Sequence, residues 1–316
     1  MTDFDVEKRT ILRVRHGSHC YGLNTPTSDI DEKGVCIPPM KYHFGFLNNF
    51  EQFESMASKG GDKDLVIFSL AKFARLASQC NPNIIEMLFV DESDILYCDD
   101  FGDELLAIRN EMISKEAFKR FSGYAKGQLH RIKSHRSWLL NPPKEKPIRS
   151  TFDLPEKATF SKSELVVLDK QFESEQQIAD AKDLYRLFLK EKAYSSACEQ
   201  WAKYNNWLKT RNPQRAELEA KSGFDTKHGM HLIRLMRMCK EIMTDGKVNV
   251  RRNDREELLA IRNGQRSYDS VVEEAERLDQ ESYELYKTSS LPEKANVKKI
   301  DSLVVELTNT YILNYE

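Results

Sequence analysis

Apolar and polar positions divide the chain into two regimes. Over residues 11–100 the apolar residues form short β-rich runs separated by turn signals, which predicts an α/β arrangement. Ile11 to Arg15 is strand-like and ends in His16-Gly17-Ser18. Ile30 to Ile37 alternates loosely and stops at Pro38-Pro39. Leu65-Val66-Ile67-Phe68 passes into Leu70, Phe73, Ala74 and Ala77 at helical spacing, with Ser69 placed to cap that helix. Asn81-Pro82 ends it, and Ile84 to Val90 is a further apolar element that reads equally as helix or strand.

From about residue 102 the period becomes helical. Phe118, Phe121, Ala125, Leu129 and Ile132 form one stripe. Tyr194, Cys198, Trp201, Asn205 and Leu208 mark a second helix, and Leu232, Leu235, Met236 and Cys239 a third. Asp254 to Arg262 reads as another, with Asn253 or Asp254 as its cap and Gly264 beyond its end. Ser289 to Pro292 precedes a last helix or strand near Ile300–Leu313. The expected class is α+β: an N-terminal α/β domain with a small mixed sheet over 1–105, then a mostly helical region over 106–316. A loop or linker is expected near 141–163, at Asn141-Pro142-Pro143. Residues 145–190 carry no signal of a role.

Composition narrows the setting. The chain has 316 residues, and 48 basic residues nearly balance 50 acidic ones, for a net charge of -2. Local clusters therefore matter more than the total. No run of about 20 apolar residues occurs, so no membrane span is expected. The charged start MTDFDVEKRT is not that of a secretory signal. The six cysteines show no CxxC spacing, which fits a reducing cytoplasm. His16, His19, Cys20 and His43 fit no common zinc spacing, and neither a Walker-type GxxxxGK[ST] nor a GxGxxG is present.

The candidate chemistry lies in Gly17-Ser18 and Asp29-Ile30-Asp31. Nucleotidyl transfer needs positioning, and cations that neutralise charge on phosphate oxygens. Two magnesium ions about 4 Å apart clamp the attacking and leaving oxygens, and magnesium takes hard carboxylate ligands. Aspartates at i and i+2 on a strand point to one face, so Asp29 and Asp31 suit one metal pair. Asp64, directly before Leu65–Phe68, is the candidate third acid, and Asp62 is its local competitor. Gly17 lets the backbone approach a phosphate, Ser18 and the adjoining amides can bind its oxygens, particularly if a helix starts there, and Tyr21-Gly22 shapes the same turn. A lone Asp-x-Asp is most often a solvated turn. The three features together are far more specific.

The combination resembles the DNA polymerase β-like nucleotidyltransferase superfamily. The run GSHCYGLNTPTSDIDEKGVCIPP resembles the branch found in phages and bacterial RNA-repair operons, as do DLVIFSLAKF, NPNIIEMLF, KHGMHLIRLM and SSLPEK. His19-Cys20 departs from the small or basic residues common there. The resemblance implies that Gly17 and Ser18 bind the triphosphate of an NTP such as ATP. It implies that Asp29, Asp31 and Asp64 bind two Mg2+ ions (or Mn2+), and that Asp64 activates the acceptor hydroxyl.

Lys227, His231 and Arg234, at i, i+4 and i+7, form a polar helical stripe. By itself such a stripe is more often a solvated face; the resemblance of KHGMHLIRLM makes it a triphosphate or acceptor site. The stretch Lys119 to Arg149 carries nine Lys/Arg and one acidic residue with Phe121, Tyr124 and Trp138 interleaved, a pattern that suits RNA or DNA as well as it suits core aromatics beside solvated lysines. Arg251-Arg252 and Arg255 form a second basic cluster. Glu86, inside NPNIIEMLF, either pairs with a basic residue at the cleft or lies exposed. The expected reaction moves an NMP from an NTP to an acceptor hydroxyl with release of pyrophosphate, the acceptor being an RNA 3′ end such as that of tRNA. Two alternatives use the same residues: adenylylation of a protein or small molecule, and a non-catalytic nucleotide- or RNA-binding module. The oligomeric state is not legible.

Overall fold

The computed structural model describes residues 3–26, 28–56, 64–172, 178, 181–211 and 213–316. Its described residues form a five-stranded mixed sheet in the N-terminal part and mostly helices thereafter, the expected α+β class. The strands are β1 (Thr10–His16), β2 (Asp31–Cys36), β3 (Gln52–Ser55), β4 (Asp64–Ser69) and β5 (Ile95–Cys98). Their order is β3-β4-β2-β1-β5, with β2 and β4 parallel and the other neighbours antiparallel.

Alternation assigns the two faces of the sheet. On one, Cys36, Leu65 and Ile67 join Val6 and Phe50 in a buried cluster. On the other, Leu12 and Val14 of β1 and Val35 of β2 give way, at one end, to His16, Asp31 and Asp64. The expected strand from Ile30 begins one residue later, so Asp29 lies in the loop before β2 rather than on the strand.

The helices are α1 (Lys41–Phe44), α2 (Leu70–Ala77), α3 (Pro82–Ile85), α4 (Asp100–Ala107), α5 (Glu116–Leu140), α6 (Lys162–Gln171), α7 (Lys182–Thr210), α8 (Pro213–Ser222), α9 (Thr226–Asp245), α10 (Arg255–Arg262), α11 (Tyr268–Thr288) and α12 (Val297–Tyr315). Ser69 caps α2 by accepting from the Lys72 amide, and Leu70, Phe73, Ala74 and Ala77 are buried, as their spacing predicts. Ile84–Val90 resolves as the end of α3 and a 3-10 turn, and the 300–313 segment as the helix α12. Pro82 stands in the first turn of α3, where its missing N–H costs nothing, with the Asn81 side chain as cap.

The chain forms two compact units, residues 1–132 with 225–316, and Lys133–Phe224. The division does not coincide with the expected boundary at 105/106: α9 to α12 return to the sheet-bearing unit, where α12 packs on α2 and α9 on α10 and α11. The Lys133–Phe224 unit is helical, with Leu154, Phe188 and Phe224 buried and the buried Glu191 held by Arg149 and by the Thr159 amide. No helix among the described residues is long and apolar enough to cross a membrane.

Candidate active site at one end of the sheet

Strand register assembles the acids. Asp31 stands opposite His16 on the antiparallel side and opposite Asp64 on the parallel side, so three polar residues form one row across β1, β2 and β4. Directly opposed residues share a face of the sheet. Burial, and then the Asp64 carboxylate, push the Asp31 carboxyl above its ordinary value, with Asp29 adding to the shift and Lys227 and Lys33 opposing it. Asp29, Asp31 and Asp64 therefore share one electrostatic neighbourhood, although Asp29 is exposed and off the strand. Asp62 lies outside the described residues.

The chain turns sharply after β1. Gly17 has φ +69°, and a Cβ built on it would run into the Asp31 carboxylate. Only glycine meets both requirements without strain. The turn contains no helix: Tyr21 N–H donates to Gly17 O and Leu23 N–H to Ser18 O, so these amides close the loop itself. Gly17→Ala is expected to displace the Asp31 carboxylate and to lower Tm; thermal melts of the variant check this.

Buried charges form a network under that row. Glu86 is fully buried; its Oε2 accepts from Tyr21 OH at 2.5 Å and its Oε1 from Arg234 Nη1 at 2.6 Å. The Arg234 guanidinium lies 3.7 Å from the centre of the Tyr21 ring. His16 Nε2 is 3.6 Å from Glu86 Oε2 and 3.3 Å from Lys33 Nζ, which also donates to Asn83 O at 3.1 Å. Burial, with Lys33 and Arg234 adding to it, drives His16 well below its usual range, so it is neutral, and burial brings Lys33 down to about 8. Glu86 thus takes the cationic partner rather than the exposed position.

Two of the residues expected at the nucleotide, Tyr21 and Arg234, belong to this network. Both are buried, with their polar ends engaged on Glu86. The polar stripe of α9 is graded: Arg234 is interior, His231 half-buried, and Lys227, in the first turn, acts on Asp31. Burial, then Arg234, Lys227, His228 and Arg262, hold His231 well below its usual range. It is a neutral imidazole among cations.

C-terminal residues also grip the glycine turn. Arg252 N–H donates to Tyr21 O, Arg255 Nε to Gly22 O at 2.6 Å, and Arg262 Nη1 to Leu23 O at 2.8 Å. The second basic cluster is therefore structural: Arg251 pairs with Asp91 and Asp94, and Arg252 with Glu241 and Asp254. Of the basic stretch, Lys119 pairs with Glu116, Lys126 with Asp279, and Arg149 with Glu191.

A cavity of about 440 Å3 opens beside Gly17. His16, Gly17, Tyr21 and Asn83 line one side and His231, Arg234 and Leu235 of α9 another; the α5 wall presents Tyr124, Gly127, Gln128 and Arg131. The α5 contribution has no sequence signal beyond the basic, aromatic character of the stretch.

The fold and this acid row define an α+β protein whose sheet presents a carboxylate site beneath a glycine turn. Residues 2–141 match the family model RlaP, described as "RNA repair pathway DNA polymerase beta family". The match contains the sheet, Gly17, the three acids and α5, and excludes α9. The chain is also 31% identical over 87 residues to the "Uncharacterized 38.9 kDa protein in nrdC-mobD intergenic region" of Enterobacteria phage T4. That alignment covers 25% of this chain and 25% of the phage protein. No solved structure matches. The N-terminal part is thus similar to a polymerase β-type family, in line with the resemblance its motifs carry.

Proposed function

We propose that the protein is a divalent-metal-dependent nucleotidyltransferase that moves an NMP from an NTP to an acceptor hydroxyl, the acceptor being an RNA 3′ end such as that of tRNA. The observation that carries this reading is the pairing of Asp31 with Asp64 on adjacent parallel strands, directly under the Gly17 turn and inside the residues matched to an RNA-repair polymerase β family.

The donor set fits magnesium: Asp29, Asp31 and Asp64 offer only hard carboxylate oxygens, and their mutual repulsion calls for a cation. When bound, two such ions supply charge neutralisation for the phosphate oxygens. The protein's own residues do the rest. Gly17 admits a phosphate close to the backbone, with the Ser18 hydroxyl beside it. Lys227 and His231 face the triphosphate, and Asp64 accepts the proton of the attacking hydroxyl. Tyr21 and Arg234 act at one remove by fixing the turn through Glu86.

A proton and a metal compete for Asp31. Because its carboxyl is held above the ordinary range, the acid limb of turnover is expected to lie above the usual carboxylate titration and to move to lower pH as Mg2+ is raised. A pH–rate profile at two Mg2+ concentrations checks this; a limb that ignores Mg2+ contradicts it. The reaction itself is tested by incubating the protein with each α-labelled NTP and a mixture of RNA and protein acceptors. Label in the RNA is the expected result, and label on protein alone rules out the RNA acceptor.

A further inference from the structure

Two glycines sit in the interior of α5, Gly123 and Gly127. Glycine there costs helix stability relative to alanine, because more chain freedom is lost on folding. Neither has a positive φ, and a Cβ built on either meets nothing within 4 Å. Neither conformation nor packing therefore requires glycine. The two differ in one respect: Gly127 lines the cavity beside Gly17, and Gly123 does not.

Tyr124, Gly127, Gln128 and Arg131 stand at i, i+3, i+4 and i+7, one face of the helix. Bare backbone at Gly127 is thus bordered by a phenol ring, an amide and a guanidinium. Tyr124 is 37% exposed, and its hydroxyl accepts from Asn81 Nδ2 at 3.1 Å, which ties it to the residue that caps α3. Arg131 is exposed. A flat aromatic ligand matches this wall: its face lies on the bare helix, and its edge finds the Gln128 amide and the Arg131 N–H groups. About 440 Å3 is room for a nucleoside rather than for a phosphate alone.

We propose that the α5 face centred on Gly127 is the nucleobase subsite for the incoming NTP, with Gly127 kept side-chain-free so that the base can lie against the helix. This rests on the nucleotidyltransferase reading and extends it to a part of the molecule that carries none of the acids. A glycine without a role predicts unchanged NTP affinity on substitution, which makes the two separable.

The experiment measures Tm, and Kd for each NTP with Mg2+ and for a short single-stranded RNA, in wild type, Gly127→Leu, Gly127→Ala and Gly123→Leu. Gly127→Leu is expected to weaken NTP binding at least about tenfold with Tm unchanged or raised. Gly127→Ala is expected to weaken it about threefold while raising Tm by about 1–2 °C. Gly123→Leu is expected to leave binding unchanged. Wild-type affinity in Gly127→Leu, or an equal loss in Gly123→Leu, overturns the subsite alone. Loss confined to a short single-stranded RNA, with NTP affinity intact, overturns it in favour of an acceptor base. Failure of the wild type to bind any NTP overturns the nucleotidyltransferase reading, and the subsite with it.

Discussion

Asp31→Asn is expected to lower the proposed Mg-dependent nucleotidyl transfer on the order of a thousandfold, since it removes the central charge of the proposed cation site. The same change is expected to leave the metal-free fold as stable as wild type, or more so, at neutral pH. The sign follows from the direction of the shift. Burial and the Asp64 carboxylate raise the Asp31 carboxyl, so the fold prefers its neutral form. A carboxyl of this kind adds stability in acid and loses that contribution as pH rises through its raised pKa, the reverse of a salt-bridged aspartate. Asparagine keeps the neutral shape at every pH. Melts of the metal-free proteins should therefore show Asp31→Asn gaining on wild type at neutral pH and converging with it in acid. A large loss of stability at neutral pH contradicts the account, because it makes Asp31 a structural ion-pair partner.

The second large effect is expected at Glu86. Glu86→Ala leaves the Arg234 guanidinium buried without its carboxylate, and leaves the Tyr21 hydroxyl without an acceptor. Arg234 Nε already has no hydrogen-bond partner among the described residues, so little remains to hold the charge. Breaking a buried pair in this way costs about 3–5 kcal/mol. Urea unfolding should show a lower midpoint at unchanged slope. Glu86→Gln keeps the volume and one acceptor, so it should lose less stability while slowing turnover, because the Gly17 turn is tied to this carboxylate through Tyr21. A surface-like cost below about 0.5 kcal/mol would contradict the network.

The elements that the sequence made legible are those whose signal is local. β1 and β4 are interior strands with apolar or β-branched runs, β2 is an interior strand whose apolar end stops at Pro38-Pro39, and α2 has a clean apolar face with its own cap. β3 and β5 escaped notice because they are edge strands of four residues, partly exposed, and owe their conformation to the neighbour they pair with. The acids were legible as a motif; the sheet register sets Asp31 opposite Asp64, while Asp29 lies off the strand. The contacts beneath them were not, because Glu86 and Arg234 lie 148 positions apart and nothing local to Arg234 marks it as interior. An arginine on a helical polar stripe reads as solvated until its partner is known. The same reason hid the α5 wall and the return of α9 to α12 to the sheet-bearing unit. Both depend on which surfaces face one cavity, and helical periodicity is silent on that.

The most direct test of the central claim compares an NTP labelled at the α-phosphate with one labelled at the γ-phosphate, each with Mg2+ and RNA, in wild type and Asp31→Asn. The account predicts that wild type transfers the α-label to RNA and releases the γ-label as pyrophosphate, with both signals lost in Asp31→Asn. Transfer of the γ-label to the acceptor, or pyrophosphate release that survives the substitution, would contradict it.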